Sequence, residues 1–92
     1  MTYQLTLSPN AKEDLDIFIK SGNKGLLKKI FSLFEELKEH PYSGTGKPEP
    51  LKYELSGKWS RRITSEHRMV YIVRESMNDI YVLSLRYHYP QK

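Results

Sequence analysis

The chain has 92 residues, 38% hydrophobic and 28% charged, which fits one globular domain (residues 1–92) and excludes long disorder. Fifteen Lys and Arg against eleven Asp and Glu give a net charge of +4, so a polyanionic partner is expected, either nucleic acid or an acidic protein. There is no cysteine, which rules out disulfides and thiolate zinc sites, and His40, His67 and His88 lack metal-ligand spacing.

Tyr3–Leu7 alternates in polarity and reads as a short strand. Ser8-Pro9 signals a helix start, with Ser as N-cap and Pro at the first helical position. Ala11, Leu15, Phe18 and Ile19 follow at helical spacing, and Gly22 is placed to end that helix. A second helix spans about Asn23 to His40, with Leu26, Leu27, Ile30, Phe31, Phe34 and Leu37 as its apolar stripe, and Pro41 stops it. The short connection predicts an antiparallel helical hairpin whose aromatics are core. Acids gather on these helices: Glu13, Asp14 and Asp16 on the first, Glu35, Glu36 and Glu39 on the second.

Tyr42–Pro50 is a loop carrying Gly44, Gly46, Pro48 and Pro50. Strand patterns follow at Leu51–Leu55, Trp59–Thr64, Arg68–Val73 and Ile80–Leu85, the first of them marginal in length. The order β-α-α-β-β-β(-β) predicts an α+β fold: an antiparallel twisted sheet with the hairpin packed on one face and the other face partly open. Alternation sets Arg68, Val70 and Ile72 on one side of their strand and Met69, Tyr71 and Val73 on the other. Whether Arg62 and Arg68 share a face depends on a register that the pattern leaves open.

The chemistry-bearing residues crowd into Gly44–Tyr71 and the terminal RYHY. Glu49 lies between two prolines, which restrict the backbone around it. Lys47 and Lys52 flank it, and Lys58, Arg61, Arg62 and Arg68 follow against Glu66 alone. Arg61 and Arg62 point to opposite faces, so one can serve structure while the other faces a partner. Guanidinium groups suit phosphate, and Tyr53, Trp59, Tyr71, Tyr87 and Tyr89 offer rings on which bases stack, although Tyr71 reads as core. Each feature also has an ordinary reading: a loop carboxylate, or an edge strand guarded by charge. No phosphate-binding loop, dinucleotide fingerprint, nucleophile elbow or metal-ligand motif is present. The N-terminus lacks a signal-peptide pattern and no apolar run approaches the roughly 20 residues that span a bilayer. A cytoplasmic protein with no membrane partner is expected.

GKPEPLK, SGKWSRRI, EHRMVY and RYHY, in that order, closely resemble the YoeB (Txe) family of toxins in the RelE superfamily of type II toxin–antitoxin systems. The resemblance implies a RelE/YoeB-like fold and a ribosome-dependent mRNA endoribonuclease, an mRNA interferase that needs no metal or cofactor. It implies Glu49 as general base, Arg68 as the phosphate-stabilising group and His88 as general acid. Lys52 and Arg62 become supporting cations that bind phosphate, and Tyr89 a substrate-placing aromatic. Implied partners are a YefM/Phd-like antitoxin, the ribosomal A site and its mRNA; homodimerisation stays open. The alternatives are a ParE-like toxin that is not a nuclease, or an RNA- or ribosome-binding module on the same fold. The chain departs from the family in lacking the tryptophans and tyrosines that some members carry on the first helix, and in continuing past Tyr89 with Pro90-Gln91-Lys92.

Overall fold

Local chemistry sets the helix ends. The Ser8 hydroxyl accepts from the Ala11 N–H at 3.0 Å, and Pro9 opens α1, Pro9–Ser21. Gly22 closes it at φ 75°, a left-handed conformation that costs glycine little. The Asn23 side chain accepts from the Leu26 N–H at 3.0 Å, starting α2, Lys24–Glu39. The strands are β1 (Gln4–Leu7), β2 (Glu49–Pro50), β3 (Trp59–Arg62), β4 (Arg68–Arg74) and β5 (Asp79–Tyr87). This is a computed structural model, and it describes residues 2–87.

The sheet runs β1-β5-β4-β3-β2. β2, β3, β4 and β5 pair antiparallel, as the short turns between them require. β1 instead lies parallel to β5, from Gln4 opposite Asp79 to Leu7 opposite Val82. The sheet is therefore mixed, where alternation predicted antiparallel strands throughout. No hairpin ties β1 to its neighbour, and a period of two carries no strand direction.

The expected strand at Leu51–Leu55 is the other difference. Only Glu49 and Pro50 pair with β3, and Tyr53–Leu55 forms a single 3-10 turn. Pro50 cannot donate to a ladder, and Tyr53 sits at φ 58°, which breaks an extended run.

Ala11, Phe18, Ile30, Leu33, Phe34 and Leu37 from the helices meet Ile63, Met69, Tyr71, Ile80, Val82 and Leu85 from the sheet side, and all are buried. Full burial of one such aliphatic side chain is worth about 1.5–3 kcal/mol. The stripes are narrower than expected. Ile19 is 49% exposed and Phe31 48% exposed, since each stands at the margin of its helix's inward face. Phe31 meets Phe34 edge-on, at 5.9 Å between ring centres. Both helices cover the same side of the sheet and leave the opposite face open. Among the described residues no helix is long and apolar enough to cross a membrane.

Candidate active site

Strand pairing decides which side chains share the open face. Arg62 stands directly opposite Arg68, Ser60 opposite Val70, and Glu49 opposite Ser60. Cross-strand partners project to the same side, as do residues two apart. Glu49, Ser60, Arg62 and Arg68 thus look away from the helices, while Arg61 looks towards them. The register that the pattern left open brings the two arginines together.

Arg68 Nη1 lies 3.9 Å from Glu49 Oε1 and 3.5 Å from the Ser60 hydroxyl. The Arg68 side chain is 16% exposed and that of Glu49 52% exposed. The cation is held by its surroundings, and the carboxylate side chain is half exposed. Tyr87 pairs opposite Arg68 from β5. Glu49, Lys52, Tyr53, Leu55 and Tyr87 line one cleft of about 390 Å³. Lys52 is exposed there, and Arg62 is exposed beside Arg68. A larger hollow of about 720 Å³ lies between β1 and α2 around Tyr3 and Phe31 and contains none of the expected residues.

The structure thus brings Glu49, Lys52, Arg62 and Arg68 to one face. His88 and Tyr89 lie outside the described residues. Ser60 joins the site without having been given a role from sequence, and Tyr87, expected only as one of several stacking rings, joins it opposite Arg68. For Ser60 a signal existed: in WSRR it alternates onto the side of Arg62. Nothing in the sequence shows Tyr87 opposite Arg68, because an irregular β4–β5 ladder puts it there.

Glu49 owes its place to a buried clamp. Arg61 is wholly buried. Its guanidinium donates to Glu36 Oε2 at 3.1 Å and to the carbonyls of His40 and Ser43, each at 2.8 Å. Glu36 Oε2 also accepts from the Thr45 N–H at 2.6 Å, and Gly46 O accepts from Arg62 N–H at 2.8 Å. One arginine therefore ties the end of α2, the glycine loop and β3 together, just ahead of Glu49. Gly46 has φ +86°, and a Cβ there would lie 2.6 Å from the Arg62 carbonyl oxygen. The loop closes only because that position carries no side chain. On its far side, Tyr42 packs its ring 5.0 Å from that of Trp59. Glu75 accepts from the hydroxyls of Tyr42 and Tyr3, at 2.5 and 2.8 Å.

These contacts set a pH dependence of stability. Partial burial of Glu36 opposes its ionisation, but the Thr45 N–H and Arg61 outweigh it and hold the carboxyl below its ordinary value. The phenols of Tyr42 and then Tyr3 lower Glu75 likewise. Partial burial, with the Glu75 hydrogen bond, pushes Tyr42 up to about 12. As pH falls, the unfolded chain binds protons at Glu36 and Glu75 before the folded one does. Their stabilisation is complete above 4.5 and fades as pH drops through the lower folded values. The stabilisation at Tyr42 is complete below 10.0 and is lost as pH rises towards about 12. Urea midpoints should therefore be flat from roughly pH 5 to 9 and fall on either side. Glu36→Gln should flatten the acid limb and Tyr42→Phe the alkaline one. Limbs that both substitutions leave unchanged would contradict these assignments.

The arrangement can take a proton with a carboxylate and stabilise negative charge on phosphate beside it. One protein-family model, described as "YoeB-like toxin of bacterial type II toxin-antitoxin system", matches residues 7–89. Toxin YoeB of Synechocystis sp. is 47% identical over 73 residues, covering 79% of this chain and 83% of that protein. The structure of the YoeB dimer from Staphylococcus aureus superposes with a TM-score of 0.83 at 41% identity, covering 97% of this chain and 100% of that one. The heterotetrameric YoeB-YefM toxin-antitoxin complex from Staphylococcus aureus superposes with a TM-score of 0.80 at 41% identity, with the same coverage.

Proposed function

The chain belongs to the YoeB-like toxins of bacterial type II toxin–antitoxin systems, and from that membership we propose that it cleaves mRNA in the ribosomal A site by attack of a 2′-hydroxyl on its own phosphodiester. The observation that carries this reading is the open-face pair, Glu49 Oε1 at 3.9 Å from Arg68 Nη1, with Arg62 opposite Arg68.

Glu49 takes the 2′-hydroxyl proton as general base. The oxygen attacks the adjacent phosphorus, and Arg68, Arg62 and Lys52 stabilise the charge that builds on the phosphoryl oxygens. His88 protonates the departing 5′-oxygen, and Tyr89 places the substrate. The products are a 2′,3′-cyclic phosphate and a free 5′-hydroxyl. Atoms and charge balance without a cofactor: one proton leaves the nucleophile and another reaches the leaving group. The ribosome holds the mRNA in line, supplying positioning that a shallow cleft on a sheet does not. The exposed Tyr53 beside Lys52 gives a base somewhere to stack.

The antitoxin is a YefM-like chain, in line with the YoeB-YefM complex from Staphylococcus aureus, and the charge of the open face suits an acidic segment that folds over it. A second copy of this chain is a further partner, in line with the YoeB dimer from Staphylococcus aureus.

Primer extension on mRNA with purified ribosomes tests the function. New 5′ ends within the reading frame are expected, with the upstream fragment bearing a cyclic phosphate and DNA left intact. A protein that makes no ends on translated mRNA but blocks gyrase supercoiling would overturn the proposal in favour of the ParE-like reading.

A further inference from the structure

The β4–β5 ladder slips just where the open face needs it. From Arg74 opposite Asp79 to Tyr71 opposite Val82 the pairing is regular. Val70 then meets Ser84, and Arg68 meets Tyr87. A regular ladder would have set Val70 against Leu83 and Arg68 against Leu85, so β5 carries two extra residues along this stretch. Such bulges leave backbone groups out of the ladder and re-aim the side chains beyond them.

α1 and its N-cap take up these groups. The Ser8 hydroxyl donates to the Leu83 carbonyl at 2.9 Å and the Asn10 amide donates to it at 3.3 Å. One turn further along the helix, Asp14 Oδ2 accepts from the Leu85 N–H at 2.9 Å. Asp14 is 8% exposed, on the inward side of α1 between Ala11 and Phe18, where an apolar residue would suit the core. A buried carboxylate is costly unless its charge is matched by donors, and here it meets a backbone N–H displaced from the ladder.

We propose that Asp14 is a positioning residue: its carboxylate fixes the bulge in β5 and so sets Tyr87 opposite Arg68. The proposal rests on the reading of the open face as the cleaving site. With the bulge held, Leu85 is turned fully into the core while Tyr87 reaches the cleft that Glu49 lines. His88 follows Tyr87 directly in the sequence. Without the acceptor, the Leu85 N–H regains a partner only by returning to β4, which slides Leu85 towards Arg68 and withdraws Tyr87 from it.

Two readouts test this, one of them independent of activity. In Asp14→Ala, cross-strand NOEs between Arg68 and Tyr87 should vanish. kcat on programmed ribosomes should fall roughly 10–10²-fold, with KM changed less than about twofold, as expected for misplacement without loss of binding. Asp14→Asn keeps a carbonyl oxygen that can accept the same bond, and it should restore both the NOEs and kcat. Intact Arg68–Tyr87 NOEs in Asp14→Ala overturn the proposal. So does an unchanged kcat when the NOEs are lost. If the alanine variant does not fold, a scalar coupling across the hydrogen bond, from Leu85 N to Asp14 Cγ in the native protein, decides: its presence supports the proposal and its absence overturns it. Wild-type protein that fails to cleave would defeat the functional reading, and the NOEs would still judge the role of Asp14 in the bulge.

Discussion

Arg68→Ala should yield a folded protein that cleaves translated mRNA about 10²–10³-fold more slowly, the usual cost of removing one donor from a developing oxyanion. Glu49→Gln should cost about 10²–10⁴-fold, the span of a general base. Neither residue belongs to the core. Glu49 is half exposed, and Arg68 reaches the open face from the edge of the site rather than supporting the helices. Melting temperatures should therefore move little, because a pair this long with one half-exposed partner contributes on the order of 1 kcal/mol. The loss should fall on kcat in Glu49→Gln, since the amide keeps the shape but cannot take a proton. Arg68→Lys should recover only part of the rate, because an ammonium gives a point charge where guanidinium gives a planar fork. Single-turnover primer extension at saturating ribosomes measures all three. Full cleavage by Arg68→Ala would remove charge stabilisation from its role.

Arg61→Leu should produce the largest loss of stability, about 3 kcal/mol or more in urea unfolding. Breaking a buried ion pair from one side costs about 3–5 kcal/mol. The lower end applies here because the Glu36 side chain keeps 26% exposure and so retains some water. Two carbonyls, those of His40 and Ser43, also lose their donor. For a chain this short, such a loss should lower Tm by more than about 10 °C. Gly46→Ala should act in the same direction by forcing the loop off the Arg62 backbone. Both variants should lose cleavage as well, since the loop they loosen carries Glu49. Arg62→Leu, its neighbour on the other face, should instead keep the midpoint and lose activity. Equal midpoints for Arg61→Leu and wild type would refute the clamp.

The contrast between these adjacent arginines shows how much the sequence could convey. Alternation predicted that Arg61 and Arg62 part to opposite faces, and they do. It could not say which one is buried, since burial of a guanidinium depends on Glu36, His40 and Ser43, residues 18–25 positions away. The helix boundaries were legible because Ser8, Pro9, Gly22 and Asn23 act within one turn. The gathering of Glu49, Lys52, Arg62 and Arg68 came through a family resemblance, and the pairing of β2, β3 and β4 gives it a physical basis. The parallel seating of β1, the 3-10 turn after Pro50 and the bulge in β5 had no local signature. Asp14 stands in the sequence as one of three acids on the first helix, and its inward position makes sense only once the Leu85 N–H is known to face it.

The strand order carries one more consequence. β5 stands between β1 and β4, yet among the described residues it is the last strand along the chain. While a ribosome is making this protein, β1 has emerged early and has no neighbour to zip onto until Asp79–Val82 follow it out of the tunnel. A nascent chain halted before that point holds β1 on one side and β4, β3 and β2 on the other, with no strand to join them. Assembly of the sheet is thereby deferred until β5 has been made, so products truncated ahead of Asp79 should not complete it.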